Sequence, residues 1–354
     1  MGELNNRYND RNCSIDMFRI ICAILVVAIH TALLEDINST AGYIANQVIP
    51  IIAVPFFFCV SGFYYIKGLV AKKHVFKKTV KKLLIVYTIW SFIYFLINFY
   101  WGVIKQQESI GVFIKNTVVN YFITGSYYHM WFFPALFFCI FAATFFNKIK
   151  ALGFLAYCSI PLYILGLLGC SYYNLANQIP IISLLINSSH FIIIRRILLM
   201  GLPFFMLGYF LNRIEEKYDI ISNKKLLAIG GIILALFLIE IVIMAQLGLQ
   251  VVILTFGLYP LLGIIMMLLL NNPLSNKSSL AHYTREIANF IFYSHPICIM
   301  LLEIVGKKLF HIKVEGTPMF ILTCVFTILA GWGYMTIKEK YIHKAFVLKR
   351  GIES

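Results

Sequence analysis

Apolar stretches of roughly 20 residues, long enough as helix to cross a hydrocarbon layer of about 30 Å, recur along the whole chain and are parted by short polar segments. Windows of about 19 residues place spans at 15–34, 48–66, 83–104, 128–146, 151–170, 193–212, 225–245, 250–270, 286–305 and 317–337. The pattern is weakest over 250–270 and in the broken stretch 171–192. It predicts an all-α polytopic transmembrane helix bundle of about ten spans, because backbone polar groups in lipid must be satisfied within each segment. No polar stretch remains for a separate soluble domain. Residues 1–354 therefore read as one integral membrane domain, with a segment 1–14 before the first span and a tail 338–354 after the last. The first span does not resemble a removable leader: a mixed-charge segment precedes it, Arg19 lies inside it, and no small-x-small site follows.

Composition narrows the class further. Sixty per cent of residues are hydrophobic and 13% charged, against roughly 25% charged in a soluble domain. The 30 Lys and Arg alternate in density from one inter-span segment to the next. The dense segments hold Arg7 and Arg11, the lysine run between 67 and 82, Lys148 and Lys150, the basic residues from 213 to 225, Lys277 and Arg285, and the residues after 337. The sparse ones hold Lys105, Lys115, Arg195, Arg196, Lys307, Lys308 and Lys313. Retention of cations on the cytoplasmic side then predicts that both termini are cytoplasmic, and the expected home is a cell membrane crossed many times. The net charge of +15 acts as an orientation signal and an attraction to anionic lipids. It is no nucleic-acid footprint, since no soluble module carries a basic stripe. Cys22, Cys59, Cys139, Cys158, Cys298 and Cys324 sit in apolar runs as small hydrophobes. Cys13 and Cys170 lie at span edges without metal-ligand spacing, so neither a disulfide framework nor a metal is expected.

Candidate chemistry lies where hydrocarbon should exclude it. A charge at mid-span costs about 2.5–3.5 kcal/mol and marks a cavity or a partner. Such positions are Arg19, His30, Glu240, His295 and Glu303, with His129, Arg195 and Arg196 at outer edges. Arg19 and His30 are about three turns apart on one helix face, roughly 16 Å along the axis. A guanidinium toward the cytoplasm and an imidazole toward the outside suit a ligand threaded between them; snorkelling and plain packing are the alternatives. Lys77, Lys78, Lys81 and Lys82 pair on one face at helical spacing, either as a lipid anchor or as a cradle for a polyanion. Tyr128, His129 and Trp131 read as an acceptor site or an interfacial aromatic belt. Arg195 and Arg196 break the positive-inside pattern, which points to anion or acceptor binding. His295 stands beside Pro296 and is expected to join a polar network, while Glu240 and Glu303 are expected to partner buried cations. Ser61 and Gly62 suit close helix packing.

The block SIDMFRIICAILVVAIHT, with ten residues between Arg19 and His30, resembles the opening of acyltransferase family 3. VPFFFCVSGFYY, FKKTVKKLLIVYTIW, YHMWFFPALFF, RRILLMGLPFFMLGYFL and FIFYSHP extend the resemblance in order over nearly the whole chain. It implies an acyl-CoA donor, usually acetyl-CoA, entering from the cytoplasm, and a hydroxyl acceptor of a sugar or envelope polymer at the outer face. For such a reaction the sequence supplies suitable parts: Arg19 with Lys77, Lys78, Lys81 and Lys82 would hold the donor. His30 would act as general base or transient acyl carrier, and His129, Trp131, Arg195, Arg196 and His295 would bind the acceptor. The chain departs from the family where arginines are often found before the third span: it has lysines, which bind phosphate as point charges without a bidentate fork. The opening residues and VPFFFCVSGFYY resemble more narrowly the membrane domain of VanT-type membrane-bound serine racemases, tied to vancomycin resistance. In those a pyridoxal-phosphate racemase domain follows the membrane part. The chain here ends at Ser354, so only the membrane half is expected, without a pyridoxal-phosphate site. Supply of L-serine is the rival function, although the second half shows no counterpart of the Arg–His stripe of the kind expected in a repeated transporter. Anchoring a fused racemase domain is a further rival, and the oligomeric state is left open.

Overall fold

The computed structural model describes residues 12–71, 73–217, 221–249, 254–274 and 279–352. Most of the expected N-terminal segment 1–14, and Lys277, lie outside them. Every regular element among the described residues is helical. Seven helices are long and apolar enough to cross a membrane: α1 (Cys13–Thr31), α2 (Ser39–Val70), α3 (Val75–Lys105), α7 (Phe191–Lys217), α8 (Asn223–Gln246), α10 (Tyr283–Phe310) and α11 (Gly316–Lys338, continuing helical to Ile352). Between them come α4 (Ile110–Val119), the shorter apolar helices α5 (Phe132–Lys148) and α6 (Leu152–Leu168), and α9 (Leu258–Asn271). The protein is thus an all-α polytopic membrane bundle, and each expected span overlaps one of these apolar helices. Helix α8, with a mean hydropathy of 2.9, exposes Leu227, Ile232, Leu236, Ile239 and Val242. So continuous an apolar face is a lipid-facing one.

The chain forms two compact units, residues 1–54 with 268–354, and residues 55–267. In the first, α1, α10 and α11 pack on one another. Asn12 caps α1 by accepting from the Ile15 amide at 3.2 Å, and its own amide reaches Leu269 O at 2.9 Å. Ser14 Oγ donates to Asn272 O and accepts from the Leu274 amide. Helix α1 ends at Ala32, which with Leu34 adopts left-handed backbone, φ 56° and 64°. Each such non-glycine residue costs of order 1–3 kcal/mol, so the loop needs outside support. Asp36 supplies it by accepting from both the amide and the hydroxyl of Thr317 at the start of α11, at 3.0 and 2.7 Å. Asn46 adds donors to Leu33 O and Glu35 Oε1.

In the second unit α7 packs against α5 and α6. Gly62 of α2 and Gly208 of α7 meet where a Cβ would stand 1.9 Å from Phe205 O and 2.2 Å from the Phe63 amide nitrogen. Only glycine permits that crossing, as the small-residue motif predicts. Pro203 brings no amide to the carbonyl four residues earlier. Upstream of it the ladder slips to a π-helix over Arg195–Gly201, with Leu202 N bonding Ile197 O. The stretch 171–192, weakly patterned in sequence, is broken into the short helices Tyr173–Ala176 and Pro180–Ile186.

Candidate active site

Helix α1 carries both members of the Arg–His stripe. Arg19 Nη1 bonds Asp16 Oδ1 at 2.8 Å, one turn back, and both side chains are largely buried. A buried guanidinium without a counter-charge is strongly destabilising; Asp16 removes that penalty and fixes the fork. Tyr293 and Cys22 lie close enough to feel the Arg19 charge. At the other end of α1, His30 is exposed, and its ring stacks on that of His295 from α10, centroids 5.3 Å apart and planes 21° apart. His295 is fully buried. Its Nδ1 lies 3.1 Å from Ile291 O; a carbonyl only accepts, so Nδ1 carries the hydrogen and Nε2 a lone pair. Pro296 denies an amide to the preceding turn, and Ser294 Oγ similarly donates back to Phe290 O at 2.7 Å. The expected polar network around His295 thus has a concrete form: a ring anchored to its own backbone, presented flat to His30.

The second unit holds the remaining expected residues. Lys77, Lys78, Lys81 and Lys82 are exposed on the first two turns of α3. Cations at a helix N-terminus oppose the macrodipole, and the first turn holds no acidic residue. The cluster is thus no device for stabilising α3, and it suits a polyanion.

Between α4 and α5, Gly125 takes φ +90°, where a Cβ would stand 2.4 Å from the Trp131 amide nitrogen. Asn98 reaches Ser126 O and Ser91 bonds Ser126, which ties this loop to α3. The expected span at 128–146 accordingly becomes helical only from Phe132. Held in the loop, His129 is buried among Tyr94, Tyr127 and Tyr128, whose ring centroids lie 5.2, 5.9 and 5.5 Å from its own. Trp131 receives the Arg196 guanidinium over its face at 5.2 Å, a cation–π contact. Arg195 instead lies by Cys170, and both line a cavity of about 500 Å³.

The structure therefore brings Trp131 and Arg196 together and sends Arg195 elsewhere. Glu240 does not serve a cation: among the described residues its carboxylate accepts from Tyr172 OH at 2.5 Å and from the Phe256 and Gly257 amides at 2.7 and 2.9 Å. It thereby holds the entry to α9, which starts at Leu258, later than the expected span at 250. Glu303 is exposed. Asp16 escaped the sequence reading although it stands three residues before Arg19, the spacing of a helical ion pair.

A family model described as "Acyltransferase domain" matches residues 12–336. Among curated proteins, an amino-acid racemase of Enterococcus faecalis is 33% identical over 181 residues, 51% of this chain and 25% of its own length. A serine/alanine racemase of Enterococcus gallinarum is 31% identical over 177 residues, 48% of this chain and 25% of its own length. The chain thus spans about a quarter of the length of the curated relatives it matches. No solved structure matches it.

Proposed function

Because the chain belongs to the acyltransferase family, we propose that it moves an acyl group, in the first instance acetyl, from cytosolic acyl-CoA to a hydroxyl acceptor at the outer side of a bacterial cytoplasmic membrane. One observation carries the reading: a single membrane helix holds a guanidinium fixed by Asp16 and, about 16 Å further along, an accessible imidazole oriented by a second histidine. In the reaction the acceptor oxygen attacks the thioester carbonyl, its proton passes to a neutral His30, and the imidazolium returns that proton to the departing sulfur, so that CoA leaves as the thiol as the C–S bond breaks. His30 is the general base, and His295 positions it without touching the reacting atoms. Arg19 holds the donor on its cytoplasmic approach, with Lys77, Lys78, Lys81 and Lys82 taking the nucleotide phosphates as point charges. His129, Trp131 and Arg196 form an aromatic and cationic wall suited to the acceptor. Lipids surround the bundle, and neither nucleic acid nor metal has a role.

The test is release of CoA by purified protein in nanodiscs, supplied with acetyl-CoA and hydroxyl acceptors. It is followed chromatographically, because the partly exposed free thiols of Cys158, Cys298 and Cys324 would react with a thiol dye. Turnover in the wild type and its loss in His30→Ala, with acetyl-CoA binding retained, support the reading. Absence of acetyl-CoA binding together with saturable L-serine uptake by vesicles would overturn it. That second outcome belongs to the rival reading, favoured by the serine/alanine racemase relative, in which this membrane domain supplies L-serine to a racemase domain in vancomycin resistance.

A further inference from the structure

We infer that the cavity at the N-terminal end of α7 is an oxyanion-binding subsite, with Arg195 as its cation and a small carboxylate or phosphate group as its ligand. The inference is independent of acyl transfer. The cavity, about 500 Å³, is lined by Arg195 with Cys170, Ser171, Tyr173, Asn174 and Phe191. Its volume is that of a small-molecule site, and its lining is the usual mixture of apolar wall and a few converging polar groups. Among the described residues no carboxylate lines it and none forms an ion pair with Arg195.

The Arg195 guanidinium is half-buried, and the local chemistry gives it no counter-charge. Its neighbour in the cavity wall is the Cys170 thiol, a weak acceptor at most. Glu240, the carboxylate that α8 brings to this end of the unit, is committed to Tyr172 and the Phe256 and Gly257 amides. Adjacent Arg196 adds like charge and spends its own on the Trp131 ring. The backbone beneath the pair is a π-helix, an arrangement that recurs at functional sites; it widens the turn that carries both arginines. A planar five-donor fork in a cavity with hydroxyl and amide neighbours matches the two oxygens of a carboxylate or phosphate. A carboxylate on a soluble metabolite and a phosphate on a lipid headgroup share that chemistry.

The experiment measures the thermal midpoint of the full chain in phosphatidylcholine nanodiscs at constant ionic strength, with chloride replaced by acetate or by inorganic phosphate. The subsite predicts a saturable rise with acetate or phosphate. The half-saturating concentration should increase about tenfold in Arg195→Lys, which loses the fork, and the rise should vanish in Arg195→Gln. Asn174→Asp, on the cavity wall, supplies an internal carboxylate and should abolish the response while leaving the fold intact. Nanodiscs containing phosphatidylglycerol identify the source. If they raise the midpoint through Arg195 and added anions contribute nothing more, the occupant is a lipid headgroup. No rise with acetate, phosphate or phosphatidylglycerol, or an equal rise in Arg195→Gln and Asn174→Asp, overturns the inference.

Discussion

Two cationic sites, built from the same side chain and each at least half-buried, solve the same problem differently. In the first unit Arg19 meets Asp16 one helical turn away at 2.8 Å. In the second, Arg196 lies on an indole face and Arg195 against a thiol. A guanidinium balanced by its own helix is a fixed tool: its fork is aimed, and its charge needs nothing from a ligand. A guanidinium that the fold leaves without a carboxylate has affinity to spare. The histidines divide in parallel. His30 is exposed and stacked on the His295 ring, whereas His129 is enclosed by Tyr94, Tyr127 and Tyr128. Only the first has the access that a base needs.

The sharpest way to break that division is to truncate each histidine. His30→Ala should lower kcat for CoA release by about 10²–10⁴-fold with acetyl-CoA binding preserved, whereas His129→Ala should act mainly on the KM for the acceptor. Equal kcat losses would erase the distinction. Next comes the ion pair. Asp16→Leu should destabilise the protein by about 3–5 kcal/mol, because it strands a buried charge. Asp16→Leu combined with Arg19→Leu should recover most of that in a detergent melt and still lack turnover. Recovery of activity in the double variant would reduce Arg19 to a structural role. Gly125→Ala should cost about 1–3 kcal/mol through the forced left-handed backbone and raise the acceptor KM as His129 and Trp131 shift. A change in the donor KM instead would contradict the placement of the acceptor wall. Replacing Lys77, Lys78, Lys81 and Lys82 by glutamine should raise the KM for acyl-CoA about tenfold, or roughly 1.4 kcal/mol, with kcat unchanged and the dependence on ionic strength flattened.

The smallest effect concerns the loop after His30. Asp36 is held below its ordinary carboxyl value of 3.8 by the hydroxyl and amide of Thr317. A depressed folded value means stabilisation that is fully present above 3.8 and lost as the pH falls through the folded value. The gap in melting temperature between wild type and Asp36→Asn should therefore be constant from neutral pH down to about 4 and close below it. A gap that widens on acidification would reverse the sign.

Much of the architecture could be read from hydropathy alone, because in lipid each span must satisfy its own backbone and so writes its length into the sequence. The helices that departed from expectation did so for tertiary reasons. Helix α9 starts late because Glu240, Phe256 and Gly257 meet at its entry, and α5 because of the φ at Gly125. Arg19 and His30 stood out because charge in hydrocarbon is conspicuous. Their partners divided: Asp16 was within reach of a spacing argument, whereas the stacking of His295 on His30 joins helices from opposite ends of the chain. The partners of Glu240 were illegible for a simpler reason. A carboxylate in a span looks like half of an ion pair, and nothing in its neighbours' identities announces a backbone amide.

The π-turn above Pro203 also defines a point of register. A π-helix accommodates one residue more than the α-helix it interrupts, so Arg195–Gly201 behaves as an insertion that the helix absorbs without breaking. Deleting one residue among 197–200 removes that insertion and lets the ladder close to its ordinary spacing, with the helix on either side keeping its direction. The sequence of α7 thus tolerates the loss of one residue at this point, whereas a residue lost from a regular turn of the same helix would rotate everything upstream by about 100° about the axis.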